Sequence, residues 1–220
     1  MVMNKGQMYL ILATIIVTVL AILRISLNID FILENNKQLQ QNLDTLELAN
    51  IENGIRQSLV NNYNVPTRST NVNSFIDFAR SSELGRSNTL SGISIQSEYP
   101  TAVASSTATM NVTIYNFLGA QIDSMTLTWS YDNSITTLTN LADNTTTKTT
   151  FSFNTASNAN YILTVSYTSS SITAVKNITI PVEIGASKFI GFYRMVFSTQ
   201  QGTPVSEFTN TANLNQTQYS

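Results

Sequence analysis

ATMNVTIYN, residues 108–116, and SMTLTWSY, residues 124–131, decide the fold class. In the first, Ala108, Met110, Val112 and Ile114 fall on one side of an extended chain, with Thr109, Asn111, Thr113 and Tyr115 on the other. A repeat of two suits a strand with one buried face and does not suit a helix. In the second, Met125, Leu127, Trp129 and Tyr131 alternate with Ser124, Thr126, Thr128 and Ser130. The rhythm returns at Thr147, Thr149, Phe151 and Phe153, at Tyr161, Leu163, Val165 and Tyr167, and at Ile178, Ile180 and Val182. Between these runs lie Asn-Phe-Leu-Gly, Tyr-Asp-Asn-Ser, Ala-Asp-Asn-Thr and Ser-Asn-Ala-Asn, compositions that make turns. About seven short strands at such spacing, each with one apolar face, predict an immunoglobulin-like sandwich.

The outward faces carry threonine and serine in place of the usual Lys and Glu. Threonine favours strands and pairs across them without adding charge. Roughly half of residues 101–180 are Ser, Thr or Asn, a composition also found in disordered glycosylated stalks. Such a stalk has no reason to keep Trp129, Phe151 and Tyr161 in phase, so a folded sheet is expected, with Trp129 in its core. Downstream, KFIGFYRMVFS (188–198) is apolar at nearly every position and predicts a covered strand. A further strand is expected around Glu207–Ala212, before a loose tail.

Upstream the pattern changes. From Met8 to Leu23 the chain is apolar apart from Thr14 and Thr18, about sixteen positions against the ~20 that a spanning helix needs. Extending from Gly6 to Leu27 requires Arg24 to carry its guanidinium to the headgroups. No small-x-small cleavage pattern follows Leu23, so the run is expected to stay as an anchor. Leu39, Leu43, Leu46, Ile51, Ile55 and Leu59 then recur at helical spacing with one stutter. That stripe fits a seam between copies or, by the commoner use of such stripes, packing on the chain's own domain. Helix from Met8 to Val60 is one reading; whether it runs unbroken through residues 25–33 stays open. A second helix is expected at NSFIDFAR (73–80), capped by Asn71 or Asn73.

The expected fold class is therefore α+β, a long N-terminal transmembrane or amphipathic helix followed by an all-β sandwich. The expected segments are 1–33 as anchor, 34–90 as helical stalk and connector, 91–200 as sandwich, and 201–220 as final strand and tail. A single-pass membrane protein with its C-terminal domain outside the cell follows, its partner the lipid bilayer through Met8 to Leu27.

Composition narrows the function. Of 220 residues, 42% are hydrophobic and 11% charged, with net charge −2 and pI near 5.0. A usual chain is about a quarter charged, and no basic field for phosphate backbones exists here, so a nucleic-acid partner is not expected. Cysteine and histidine are both absent. Without thiolate or imidazole, most neutral-pH bases, nucleophile partners and transition-metal ligands are missing.

Four sequons, at Asn111, Asn144, Asn177 and Asn215, are candidate N-glycosylation sites. Asp132-Asn133 and Asp143-Asn144 supply oxygens suited to calcium but lack an Asp-x-Asp-x-Asp spacing and read as turns. Nothing in the spacing of Asp123, Asp132, Asp143, Glu183 and Glu207 brings two carboxyls together for glycoside hydrolysis. Ser187 and Lys188, adjacent in an extended chain, face opposite sides and cannot cooperate. Tyr193 and Arg194, with Phe189 and Phe192, make either an exposed patch or part of a covered strand. No catalytic residue, metal or cofactor is expected.

The basic start, Lys5-Gly6-Gln7 before the apolar run, the amphipathic continuation and the sandwich together resemble archaeal type IV pilin-like proteins. The resemblance implies cleavage between Gly6 and Gln7, with the helix retained as an anchor or filament core. It also implies a glutamate at the fifth mature position, where this chain has Ile11. In the filament that carboxylate would meet a neighbour's amine, so its absence favours anchoring over polymerisation. The functional expectation is a non-catalytic surface protein with a structural or adhesive role, or an accessory subunit that recognises an envelope protein or glycan. A homo-oligomer is a candidate assembly.

Overall fold

The computed structural model describes residues 5–60, 68–84, 88–154, 156–169, 172–199 and 203–213. Contacts divide the chain into two units, Met1–Leu46 and Glu47–Ser220. Helix α1 runs unbroken from Lys5 to Val60, settling the question left open at residues 25–33, and α2 covers Arg68–Leu84, longer at both ends than NSFIDFAR. Nine strands follow among the described residues. They are β1 (Thr89–Tyr99), β2 (Thr107–Phe117), β3 (Ile122–Trp129), β4 (Ser134–Leu141), β5 (Thr145–Asn154), β6 (Ala159–Ser169), β7 (Ile172–Val182), β8 (Lys188–Ser198) and β9 (Val205–Asn213).

The strands form a β-sandwich of two antiparallel sheets. One has the order β5-β2-β1-β8-β9, the other β4-β3-β6-β7. The residues that alternate in the sequence line the space between them. Met110, Val112 and Ile114 from one sheet meet Leu127, Trp129, Leu163 and Val165 from the other. Trp129 is fully buried at the centre, its ring 6.2 Å from that of Phe151, 6.4 Å from Phe153 and 5.3 Å from Tyr161. Offset aromatic pairs of this kind add to the burial itself.

A second core lies on the other face of the five-stranded sheet. Leu48, Ile51 and Ile55 from the last turns of α1, with Val72, Ile76 and Ala79 from α2, cover Tyr115, Phe117, Phe189, Tyr193, Met195 and Phe197. This double cover explains why β8 is apolar at nearly every position: Ile190 and Phe192 face the sandwich interior, and Phe189, Tyr193 and Phe197 face the helices. Tyr193 is fully buried and stacks on Phe208 at 5.0 Å, so no exposed aromatic patch forms there.

Turns follow the Asn-rich segments. Asn133 and Asn144, in the turns on either side of β4, have φ of 58° each, and Asn140 near the end of β4 has 56°, in the left-handed region that asparagine tolerates better than most residues. Asp132 Oδ1 accepts from the Ser134 amide at 2.9 Å, ordinary turn chemistry. Asn116 is buried and acts as a tie. Its amide donates to the carbonyls of Ala120, Leu141 and Ala142 at 2.9, 2.9 and 3.1 Å, and its Oδ1 accepts from the Leu118 amide at 3.1 Å.

Two expectations change. No helix among the described residues is long and apolar enough to cross a membrane. The uninterrupted apolar run, about sixteen residues at ~1.5 Å each, is shorter than the ~30 Å hydrocarbon layer, and Arg24 closes it. The placement as a single-pass membrane protein with an extracellular C-terminal domain is therefore corrected. The leucine stripe also divides. Ile51 and Ile55 are buried on the chain's own sheet, whereas Leu39, Leu43 and Leu46 are 60–61% exposed.

Candidate functional site

Strand alternation places Ser94, Gln96 and Glu98 of β1 on the helix-facing side of the five-stranded sheet. Register sets Gln96 beside Thr113 and Glu98 beside Asn111, then Thr113 beside Lys148 and Asn111 beside Thr150. The result is a polar corner on a face that is otherwise apolar. It forms a cleft of about 630 Å³ lined by Ser69, Glu98, Asn111, Thr113, Lys148, Thr149 and Thr150.

A buried amide network underlies this corner. Gln96 Nε2 donates to Asn73 Oδ1 at 3.0 Å and to Ser94 Oγ at 2.7 Å, and Asn73 Nδ2 donates to Thr146 Oγ1 at 3.2 Å. Gln96 Oε1 is buried without a hydrogen-bond partner among the described residues. Burial raises the Glu98 carboxyl above its ordinary range, while the charges of Arg68 and Lys148 pull it back down. Burial likewise lowers the Arg68 guanidinium, opposed by Glu98. The cleft thus offers one acid, one exposed lysine and several hydroxyl and amide groups, a lining suited to hydrogen-bonding a polar partner.

Towards the other end of α2, Arg80 fastens the helix to the β4–β5 turn. It donates to the Leu90 carbonyl at 3.2 Å and to Asn144 Oδ1, and lies 3.5 Å from Asp143. Tyr115 donates to Asp77 of α2; burial, then that carboxylate, holds its hydroxyl proton well above the ordinary tyrosine range.

The sequons are not brought together. Asn111 is exposed on the cleft wall, Asn144 sits in the turn held by Arg80, and Asn177 is exposed on β7 with its Oδ1 accepting from Thr164 at 2.9 Å. Asn215 lies outside the described residues. Gly6 and Gln7 lie in the first turn of α1. The acidic residues disperse into separate ion pairs: Glu183 with Lys188, Glu207 with Lys176 and Arg194, and Asp143 with Arg80. Among the described residues, no group of three or more Asp or Glu could hold a metal ion. Ser187 Oγ pairs with Thr101 Oγ1 at 2.9 Å, and the Lys188 ammonium pairs with Glu183.

The second candidate surface belongs to the first unit alone. From Leu12 to Leu23, every Leu, Ile and Val is between 50 and 65% exposed. Thr18, within that run, donates its hydroxyl to the Thr14 carbonyl at 2.8 Å, so its polar atom is already satisfied within the helix. Sequence reasoning identified this run and overlooked the cleft. The signal for the cleft was available in ISIQSEY (93–99), whose alternation sets Ser94, Gln96 and Glu98 opposite Ile93, Ile95 and Tyr99.

No known protein-family description matches the chain, and no curated protein matches it.

Proposed function

We propose that this protein is a structural subunit that assembles with further copies of itself through the apolar surface of α1, in the manner of pilin-like proteins, and displays its sandwich as an immunoglobulin-type domain. The observation that carries this reading is the exposure of the run from Leu12 to Leu23. A soluble helix normally shows a polar face, and one that is apolar all round is normally buried. Fully burying a Leu, Ile or Val side chain contributes about 1.5–3 kcal/mol relative to exposure. With half of that unrealised at eight positions, on the order of 10 kcal/mol is available to association, comparable to what association costs.

The first seven strands support the immunoglobulin-type reading. β5-β2-β1 against β4-β3-β6-β7 follows the E-B-A and C′-C-F-G arrangement of such sandwiches, with β8 and β9 added beside the first strand. Ile11 stands where the resemblance implies a glutamate, so the carboxylate–amine pair that would favour polymerisation is missing and the association proposed here rests on apolar packing alone.

Sedimentation velocity of the full chain in detergent-free buffer tests the reading. The native chain is expected to sediment above its 24.2 kDa monomer mass, and Ile15→Asp with Leu20→Asp as a monomer. A native chain that stays monomeric at tens of micromolar overturns it.

The cleft favours a second reading, an accessory subunit that binds a polar protein or glycan partner through Glu98, Lys148 and the surrounding hydroxyls. Amide chemical shifts of Asn111, Thr113 and Thr150 should move on titration with neutral oligosaccharides or hydrophilic peptides, and Lys148→Glu should reduce the shift. Shifts spread evenly over the surface would contradict it.

A further inference from the structure

The leucine stripe left exposed in the first unit has a register of its own. Counting in sevens, Ile32, Leu39 and Leu46 occupy one position (d) and Asn36 and Leu43 the other (a). The four apolar members are 56–61% exposed. This spacing of 3.5 is that of a two-helix seam. In sequence the repeat extends back through Ile29 and Ile25. It ends at Leu46, because the next two positions are Asn50 and Asn53, and the apolar residues move to Leu48, Ile51 and Ile55, which cover the chain's own sheet.

Charge obeys the same register. Between residues 31 and 46 the charged residues are Glu34, Lys37 and Asp44, all at the outer b and f positions. The flanking e and g positions hold Leu33, Asn35, Gln40 and Asn42. A second copy laid alongside therefore meets no like charge across the seam. Phe31, at c, and Leu33, at e, are the large apolar residues that fall outside the a and d positions.

We infer that residues 32–46 of α1 form a parallel, in-register, two-stranded coiled coil with a second copy of this chain, in which Asn36 meets Asn36. Leucine at d with asparagine at a favours two strands and fixes register at some expense of stability. In an antiparallel pair, a positions face d positions, which would set the Asn36 amide against an apolar side chain with no partner. Only the parallel, in-register arrangement pairs amide with amide. The uncharged flanks make the association insensitive to salt. This rests on the self-assembly proposed above and names its register and partner.

The absence of cysteine makes the test clean. Single variants Asn36→Cys and Leu39→Cys place thiols in the seam; Lys37→Cys and Gln41→Cys place them outside it. In the full chain under mild oxidation, the seam variants are expected to form disulfide-linked pairs on the order of 100-fold faster than the outer ones, because in the pair the thiols are held at high effective concentration within disulfide reach. Native chain that associates while neither Asn36→Cys nor Leu39→Cys cross-links faster than Lys37→Cys overturns the inference and leaves self-assembly standing. Native chain that is monomeric overturns both.

Discussion

Replacing Gly92 by alanine should destabilise the sandwich, although the same change in an ordinary strand is favourable by roughly 0.5–1 kcal/mol. Gly92 lies in β1, paired with Phe117 of β2 on one side and Met195 of β8 on the other. A Cβ built there would lie 2.0 Å from the Arg194 carbonyl oxygen, and 2.8 and 2.9 Å from two Phe117 ring carbons. The carbonyl cannot swing aside, because β8 is itself held between β1 and β9. Phe117 is fully buried under α2. Overpacking costs about 1–3 kcal/mol, with the upper end fitting a contact that displaces backbone. After the propensity gain, the net loss is about 2 kcal/mol, which lowers the melting temperature by roughly 4–8 °C in a domain of this size. Thermal unfolding followed by circular dichroism, native against Gly92→Ala, measures it. Gly119→Ala serves as comparator: it has open space around its Cβ but a φ of +76°, so it should lose only about 1–2 kcal/mol through backbone strain. A Gly92→Ala protein that melts at or above the native temperature would refute the close approach of β1 and β8.

Trp129→Ala removes the largest fully buried side chain and its ring contacts and should cost about 3–5 kcal/mol by denaturant titration; a loss below about 1 kcal/mol would place the tryptophan outside the core. Asn116→Asp turns a donor to three carbonyls into an acceptor. It should cost about 3–5 kcal/mol at neutral pH and less in acid, because a carboxyl so placed has a raised folded pKa and loses its stability as pH rises through that value. An equal loss at pH 4 and pH 7 would contradict this. The Glu207 carboxyl is held low, chiefly by the hydrogen bond from Lys176. Its contribution is present above the ordinary value of about 4.3 and disappears as pH falls through the lowered folded one. Glu207→Gln should therefore lose less stability than the native chain between pH 5 and pH 3, and parallel urea midpoints for the two would argue against the ion pair.

The sheets were legible because each strand repeats one simple rule, and one rule was enough to place Trp129, Phe151 and Phe153 inside. The same rule accounts for KFIGFYRMVFS, where both faces are covered. The cleft was harder to see. Glu98, Asn111 and Lys148 lie on three strands far apart in sequence and become neighbours only once register is set. Hydropathy alone also could not divide the leucine stripe. Leu46 and Ile51 are alike in hydropathy; what separates them is spacing, since the sevenfold repeat ends at Leu46 and Ile51 belongs to the set buried against the chain's own sheet. The spanning-helix expectation failed because no helix among the described residues is long and apolar enough, the uninterrupted run being closed by Arg24 after about sixteen residues.

In the proposed assembly, the apolar surface between Leu12 and Leu23 is covered by the same surface of another copy. Photo-cross-linking tests it most directly, with benzoylphenylalanine in place of Ile16 and a mixture of isotopically light and heavy chains. Mixed light–heavy peptides that join residues 9–24 of one copy to residues 9–24 of another are expected. Cross-links confined to single chains, joining position 16 to the strands of the same molecule, would contradict it.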